Sequence, residues 1–562
     1  MSDNTNKPQD LSSNEKIKMS SNALRGTIAE SLTDEITGNI RPDDQPLVRF
    51  HGMYLQDDRD RREERAAKKL ERLYSFMIRL RLTGGFLSGD QWIALHHIAG
   101  ENSTGTLKIT TRQTIQLHGV LKTKAKPTVK AFNQAGLTTL ATCGDINRNV
   151  ICSAHPKQSP LHEQIFQLAK EITDMLLPKT QGYYEIWLDA EKIADTKMEE
   201  DLLYQDRYMP RKFKIALVIP PNNDIDVFGN DLGLIAVIEK DQLKGFNIVI
   251  GGGMSSTHGN PEHYPRLASE LGYVDITNGK ENLLKAIYEL LTIQRDYGNR
   301  SDRKKARLKY TVDKYGIPWW KAELEKRAGF ALEDIKPYVF NRRKDFYGWE
   351  QNHEGLWYYT VFVENGRVLD TDSLKLKQAL QDAAKTGKVN FRFTCNQNVI
   401  ISDIKPEDKA QIQEILEKYK IIEHTNKAST IRANAMACVA LNTCALALAE
   451  SQRYLPSLLD KVEGLLEKHG LSDEEMIVRM TGCPNGCARP FIAEIGFVGT
   501  ALGKYNMYIG GDRFGMRLNK LYKESLEEPQ ILDELDGFFG AFAKKRKKGQ
   551  PIGDFLHQEY CQ

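Results

Sequence analysis

Two segments lying 284 residues apart read as copies of one another, and this duplication constrains the fold more tightly than any other feature of the 562-residue chain. LKITTRQTIQLHGVLK (107–122) aligns with FRFTCNQNVIISDIKP (391–406), placing Thr110 opposite Thr394 and Gln113 opposite Gln397. A glycine-containing turn precedes each copy, Thr83-Gly84-Gly85 in one and Asn365-Gly366 in the other, followed by an amphipathic helix and a second turn. The spacing is far too long for a solenoid repeat, so the pattern predicts duplication of a domain-sized unit.

Around these copies the periodicities predict a mixed α/β chain. Residues 1–20 are polar and almost devoid of apolar side chains, which predicts an unstructured or partner-ordered arm with order beginning near Asn22. Good helix formers and (i, i+4) charge pairs from Asp57 to Leu80, with apolar positions clustered towards the end, predict a helix over most of that segment that delivers RLRL into a core strand. Thr106 to Leu121 alternates polar and apolar residues, as one half-buried strand does. A helical pattern at 161–175 is followed by strand-like runs at YYEIWLDA, FKIALVIP, LIAVIE and FNIVIGG. Further on, ACVALNTCALALAESQRYL reads as an Ala-rich helix, followed by a second helix to about His469 and a cysteine turn at 481–490. The basic run 544–548 reads as a solvated helix end.

Four of the eight cysteines form two close pairs, Cys438 with Cys444 and Cys483 with Cys487. Thiolates are soft ligands suited to iron-sulfur clusters, zinc or copper(I), and two pairs from separate segments can surround one centre. A single structural zinc usually takes a tighter two-residue gap in both pairs; gaps of five and three residues suit a wider iron-sulfur cubane. Pro484 and Gly486 permit the sharp turn such a loop needs.

Composition excludes several other classes. Eight cysteines are too few for a disulfide framework in this length, and no signal peptide or membrane-length apolar run is present, which predicts a cytoplasmic protein. Lys plus Arg exceeds Asp plus Glu by only three, 78 against 75, so the chain lacks the field of a dedicated nucleic-acid binder. A zinc-organised nucleic-acid-binding protein is the remote alternative. Gly251-Gly252-Gly253 lacks the third spacing of a dinucleotide fingerprint, so no NADPH site is assigned to this chain.

The cysteine pattern closed by Thr-Gly-Cys-Pro-Asn-Gly-Cys resembles the signature of the siroheme-dependent sulfite and nitrite reductases. SNALRGTIAESL, RFHGMYLQDDRD, TRQTIQLHG, DINRNVICS, EIWLDAEKI, PRKFKIALVIPP, NDIDVFGND, GGGMSSTHGN and QRDYGNRSDRKKA extend the likeness from about residue 20 to 555. Within that family they resemble the haemoprotein (beta) subunits of NADPH-dependent assimilatory enzymes, which serve cysteine biosynthesis. The resemblance implies three domains around a siroheme and a four-iron four-sulfur cluster, with a pseudo-two-fold, ferredoxin-like repeat. Residues 75–142 and 343–425 would form the repeat domain, 143–342 a siroheme and substrate domain, 426–562 an iron-sulfur cluster and siroheme domain, and 1–74 an arm and helix that are a candidate docking element for a partner.

By the same resemblance Cys438, Cys444, Cys483 and Cys487 hold the cluster, with Cys487 bridging to the siroheme iron. Sulfite is reduced by six electrons to sulfide, with electrons from an NADPH-oxidising flavoprotein (alpha) subunit carrying FAD and FMN. The substrate-binding cations carry over to Arg79, Arg148, Lys212 and Lys214; the two lysines stand two apart, so on a strand they share a face. Siroheme carboxylates would meet Lys108, Arg112, Gln116 and His118, evenly spaced on the expected strand, with Gln397 from the second copy. Asn299, Arg303, Lys304 and Asn485 complete the cofactor set. Where the family pattern has an asparagine before the substrate-binding arginine segment, this chain has Gly144, and Cys561 receives no role. A siroheme nitrite reductase or a ferredoxin-dependent sulfite reductase are the alternatives; Asn147-Arg148-Asn149-Val150, Gly486 and the long N-terminal match favour the sulfite over the nitrite branch, and the overall resemblance favours the NADPH-linked flavoprotein as donor.

Overall fold

The computed structural model describes residues 11–155, 160–179 and 201–561, and the backbone of 186–188 and 191–194. Each sequence copy builds a four-stranded antiparallel sheet whose fifth strand comes from the other copy. The first sheet runs Met53–Asp57, Tyr74–Arg79, Ile115–Val120, Leu107–Ile109 and then Arg367–Val368, a strand of the second copy. The second runs Gly348–Gln351, Trp357–Val361, Val399–Ile404, Asn390–Phe393 and then Phe86–Ser88, a strand of the first. The exchange makes one apolar core out of both copies, with Trp92 tilted against Phe391 at 4.7 Å between ring centroids.

The turns that lead into the exchanged strands show why glycine closes both. A Cβ on Gly85 would lie 2.5 Å from the Phe393 carbonyl, and one on Gly366 would lie 2.4 Å from the Ile109 carbonyl, the twin position. Both glycines have positive φ, so each turn needs glycine twice over, for conformation and for clearance. Gln113 and Gln397 occupy twin left-handed positions beside them.

A second duplication was not visible in the sequence. The sheet Cys152-side to Asp275, ordered Ile151–Cys152, Ile215–Val218, Leu232–Glu239, Gln242–Ile250 and Ser269–Asp275, has parallel, parallel, antiparallel and antiparallel neighbours. Met436–Ala437, Val478–Thr481, Ile495–Ala501, Lys504–Ile509 and Lys520–Leu526 repeat that sequence of pairings. Register fixes the correspondence at 263 residues: Leu232 pairs with Ile215 as Ile495 pairs with Val478.

This correspondence makes Asp226 the twin of Arg489, and the two meet. Asp226 is fully buried and accepts hydrogen bonds from Arg343 at 2.5 Å, Arg479 at 2.7 Å and the Nε of Arg489. Arg489 in turn donates to the carbonyls of Thr111 and Cys395, at 2.9 and 3.1 Å, which are themselves twin positions of the first duplication. The pair therefore sits where both duplications converge. Burial alone would raise the Asp226 carboxyl; the three guanidiniums carry it far below the carboxylate range instead. Asp226→Asn leaves three buried guanidiniums without their shared counter-charge and is expected to cost about 3–5 kcal/mol of stability. Urea unfolding of the purified variant checks this, and a wild-type midpoint would refute it.

Several expectations need correction. The helix expected over 57–80 is confined to Arg62–Ala67, because apolar residues occur only at the end of the segment and those pair as strand Tyr74–Arg79. The single strand expected over 106–121 is a hairpin, Leu107–Ile109 and Ile115–Val120, broken by a turn in which Gln113 has φ 52°. The Ala-rich segment is not a helix: Met436–Ala437 is a strand, turns follow, and the next helix is Leu455–Lys468. The polar arm is ordered from Leu11, with helix Ser13–Ser20 packed so that Glu15 and Lys18 are buried. Residues 1–10 and most of YYEIWLDA lie outside the described residues.

Candidate active site

The strand Ile215–Val218 is preceded by an extended segment in which Phe213 bridges Asn147 and turns into the core, so Lys212 and Lys214 face the other way together. Arg148 is tied to the same segment, its backbone N–H donating to the Phe213 carbonyl at 2.9 Å. Its guanidinium donates to the carbonyls of Gly144 and Thr142, both at 3.0 Å. Position 144 has no room for the side chain of the family pattern, because a Cβ there would lie 2.9 Å from the Phe50 ring.

The two lysines keep part of their surface accessible while lying deep in the molecule, so they line an interior space. Burial pushes both ammonium groups well below their ordinary value; Arg211, Arg307 and Arg148 push Lys212 further, and Lys212, Arg112 and Arg307 push Lys214 further. Sequence reasoning passed over Arg211 and Arg307. Arg211 adjoins Lys212 in a visibly basic run, whereas Arg307 is placed by its bidentate pairing with Asp231, which no local pattern signals.

Arg79 enters from the repeat domain. Its Nη2 donates to Gln116 Oε1 at 2.8 Å, and its Nη1 lies 3.3 Å from the sulfur of Cys143. Gln116 pairs across the hairpin with Lys108 and reaches His118 at 2.9 Å, so these three share one face. Arg112, on the turn, points elsewhere than the even spacing implied: it donates to Asn230 at 2.7 Å and to the Asn149 carbonyl at 2.6 Å, towards the lysine segment. Its Nε is buried without a hydrogen-bond partner among the described residues.

The His118 ring also meets Gln56 at 3.0 Å and Thr443 at 3.2 Å, and burial, aided by Lys108 and Arg79, holds it neutral, at about 3. Burial brings the Lys108 ammonium down to about 7, opposed by Cys438, and the ammonium donates to the Asn365 carbonyl. Arg303 pairs bidentately with Asp145 at 2.7 and 2.9 Å, while Asn299 and Lys304 are exposed on the same loop. Gln397 lies apart from this group, donating to the Ile109 carbonyl at the junction of the two copies.

The four cysteines come together on two loops. Cys438 and Cys444 pack with Ala440, Leu441 and Ala447 in a small apolar cluster. Asn485 donates to the sulfur of Cys483 at 3.5 Å. Burial, then the Cys487 sulfur, pushes the thiols of Cys438, Cys444 and Cys483 up, so Cys487 is the common neighbour of the other three. Cys487 alone among them is exposed, and its sulfur lies within electrostatic reach of Lys212. The Cys487 loop is tied to the cation group through the repeat-domain turn: Thr111 donates to the Cys487 carbonyl at 3.1 Å, and the adjacent Arg112 donates to the carbonyl of Ile215, next to Lys214, at 3.3 Å. Asp58 and Arg59 clamp the first loop from outside, through Asn442 and the Ala447 carbonyl.

These residues fit the two implied cofactors. Four soft donors sharing Cys487 in an apolar wall suit an iron-sulfur cluster. A buried guanidinium nitrogen without partner, among more cations than the nearby carboxylates balance, suits a group carrying several carboxylates. Cys561 is accounted for differently: it is buried, with its thiol 3.6 Å from the Ile509 carbonyl, far along the chain from these loops.

Comparison with known proteins finds the profile described as Nitrite/Sulfite reductase ferredoxin-like half domain matching residues 69–135 and 349–419. The profile described as Nitrite and sulphite reductase 4Fe-4S domain matches residues 168–332. That second match contains no cysteine; the twin sheet at 436–526 carries all four cluster candidates. The chain is 58% identical over 544 residues to the sulfite reductase (NADPH) hemoprotein beta-component of Leptospira biflexa, covering 97% of each. It is 50% identical over 543 residues to the protein of the same name from Anoxybacillus flavithermus, covering 96% and 94%. Among solved structures, the NirA protein of Mycobacterium tuberculosis superposes with a TM-score of 0.76 at 25% identity, covering 98% and 96%.

Proposed function

The chain belongs to the siroheme-dependent nitrite and sulfite reductase family, and from that premise we propose how its own residues serve the reaction. Its activity is the six-electron reduction of sulfite to sulfide, and its cofactors are a siroheme and a four-iron four-sulfur cluster. When bound, these supply the electrons and the iron at which sulfite sulfur is reduced. In our reading Cys438, Cys444, Cys483 and Cys487 would hold the cluster, with Asn485 steadying Cys483, and Cys487 would be the thiolate that also serves the siroheme. Lys108, Arg112, Gln116, His118 and Arg303 meet the siroheme carboxylates, with Asn299 and Lys304 at the mouth.

Arg79, Arg148, Lys212 and Lys214 receive the oxyanion. Each oxygen of sulfite leaves as water, so the site must hold negative charge and deliver protons repeatedly. The guanidiniums of Arg79 and Arg148 are fixed by Gln116 and by the Gly144 and Thr142 carbonyls, which orients them as permanent cations. The lysines differ. Burial beside other cations makes their ammonium groups unusually ready to give up a proton, and an anion between them restores the charged form. Lys212 and Lys214 thus act as rechargeable donors, and the arginines as the frame.

The observation that carries this reading is the tie between the Cys487 loop and the lysine segment through the repeat-domain turn, where Thr111 donates to the Cys487 carbonyl and the adjacent Arg112 to the carbonyl of Ile215, next to Lys214. We further propose an NADPH-oxidising flavoprotein (alpha) component carrying FAD and FMN as electron donor, and a cytoplasmic location. The beta-component names of the relatives support the first. Among the described residues no helix is long and apolar enough to cross a membrane, in keeping with the second. The domain limits 75–142 with 343–425, 143–342 and 426–562 remain our working division. The test is a visible spectrum with iron and acid-labile sulfide analysis, followed by sulfite turnover with a chemical donor and with an NADPH flavoprotein. A colourless protein, or a coloured one that turns over nitrite and leaves sulfite untouched, would overturn the reading.

A further inference from the structure

The two duplications relate the substrate site to a second place in the molecule. Arg79 pairs with Gln116 as Thr360 pairs with Ile400, so Thr360 is the twin of Arg79. Ile151 pairs with Ala216 as Met436 pairs with Arg479, which makes Ala433 the twin of Arg148, three residues before each strand. The 263-residue correspondence makes Glu475 and Ile477 the twins of Lys212 and Lys214. All four substrate cations are therefore lost at the twin site, and one is replaced by a carboxylate. The twin site cannot repeat the chemistry.

Yet a cavity of about 340 Å³ persists there, lined by Glu475 and Ile477 and by four cations of different origin, Arg342, Arg343, Lys344 and Arg513. The first three come from the segment entering the second copy and the fourth from the loop after strand Lys504–Ile509. Among the described residues Glu475 is the only carboxylate in the lining, and it is paired with Lys344; Arg513 is paired with Glu474 at 3.2 Å and Glu494 at 3.5 Å behind the wall. Arg343 is fixed by Asp226 and the Ile492 carbonyl; its side chain is 1% exposed, and its Nη2 has no hydrogen-bond partner among the described residues. The wall of this space therefore holds more cationic than anionic charge: Arg343 shares the single carboxylate of Asp226 with Arg479 and Arg489 and keeps one N–H group unused, and Arg342 has no carboxylate partner among the described residues, a setting that suits an anion.

We propose that this cavity is a second anion site, distinct from the substrate pocket, for a doubly charged tetrahedral oxyanion, sulfate or phosphate, free or carried on a nucleotide. Guanidinium groups match the geometry of such anions, and the volume exceeds what one free sulfate fills. Phe346 and Phe514 in the wall offer flat apolar surface to a base.

Equilibrium dialysis of the full-length holoprotein against radiolabelled sulfate tests the proposal. Two sites per chain are expected, falling to one in Arg342→Ala/Lys344→Ala with an affinity loss of roughly tenfold or more at the second. Glu475→Gln should tighten that site several-fold, an opposite effect that misfolding would not produce. In Lys212→Met/Lys214→Met, which cripples the substrate pocket, the second site should persist. Unlabelled phosphate and AMP as competitors separate the sources: equal competition marks a free oxyanion, and AMP competing at lower concentration marks a nucleotide. Sulfite turnover of Arg342→Ala/Lys344→Ala with a chemical donor should match wild type. A single sulfate site in wild-type protein, unaltered by these substitutions, or loss of turnover together with sulfate binding, would overturn the proposal. Because the count of sites is read in unmodified protein, failure of the substrate-site reading would show separately, as undiminished turnover in Lys212→Met/Lys214→Met.

Discussion

Cys487→Ser is expected to yield a folded protein that lacks the cluster's visible absorption, retains little siroheme and reduces sulfite at least ~10²-fold more slowly than wild type. Cys487 is the shared neighbour of the other three thiols and the one of the four that is exposed, so in the proposed reading its loss removes a cluster ligand and the junction between the cofactors together. A hydroxyl is a poor donor to iron where a thiolate is required. The loop itself should hold, because it is anchored by contacts the substitution leaves alone. Thr111 donates to the Cys487 carbonyl at 3.1 Å, and Arg489, two residues on, is locked to Asp226. Circular dichroism unchanged from wild type, with iron and acid-labile sulfide reduced, would separate loss of cofactor from loss of fold. Cys561→Ser, at a buried thiol packed near the Ile509 carbonyl, should keep the full spectrum. Normal absorption and turnover in Cys487→Ser would remove the bridging assignment.

The cysteine loops and the first duplication were legible in the sequence because both depend on short, local residue patterns. Thr110, Gln113, Thr394 and Gln397 sit at tight turns where backbone conformation restricts the residue, so the copies still look alike. The second duplication was invisible for the opposite reason. Its turns have diverged in function: Pro220 to Asp226 correspond to Cys483 to Arg489, and the twin of a cluster ligand is here a proline or a buried aspartate. Only the register of the sheets preserves the relation.

The misread elements share a different cause. Helix propensity over 57–80 described charged residues correctly, but helices this polar have little to bury, and the apolar tail found strand partners instead. The Ala-rich stretch has the composition of a helix, yet its cysteines must converge with a distant loop, and turns place them there. Charges in the N-terminal arm looked solvated because their partners are remote. Lys18 meets Asp145 at 3.6 Å and Glu15 meets Arg300 at 2.6 Å, neighbours that no window along the chain contains. Tertiary pairing overrode local preference in each case.

Lys214→Met should lower sulfite turnover by about 10²-fold while leaving the visible spectrum nearly unchanged, the usual cost of removing one preorganised electrostatic contact. Methionine keeps most of the apolar stem, so the space is not collapsed, and the backbone carbonyl of residue 214 continues to accept from Leu232 at 3.0 Å. What disappears is a cation beside Lys212 and a proton donor. Nitrite carries a smaller charge than sulfite, so its turnover should fall less, and that difference distinguishes anion stabilisation from general damage. The pH dependence has a definite sign. Burial and neighbouring cations lower the Lys214 ammonium well below its ordinary value in the empty pocket; an anion bound beside it raises that value, so sulfite binding takes up a proton. Apparent affinity for sulfite should therefore weaken as pH rises through the range where Lys214 loses its proton, and this dependence should flatten in Lys214→Met. Steady-state assays with a chemical electron donor, which bypass the partner, read both effects. Wild-type turnover and an unaltered pH profile in fully loaded Lys214→Met would assign the charge stabilisation to Lys212 and the two arginines alone.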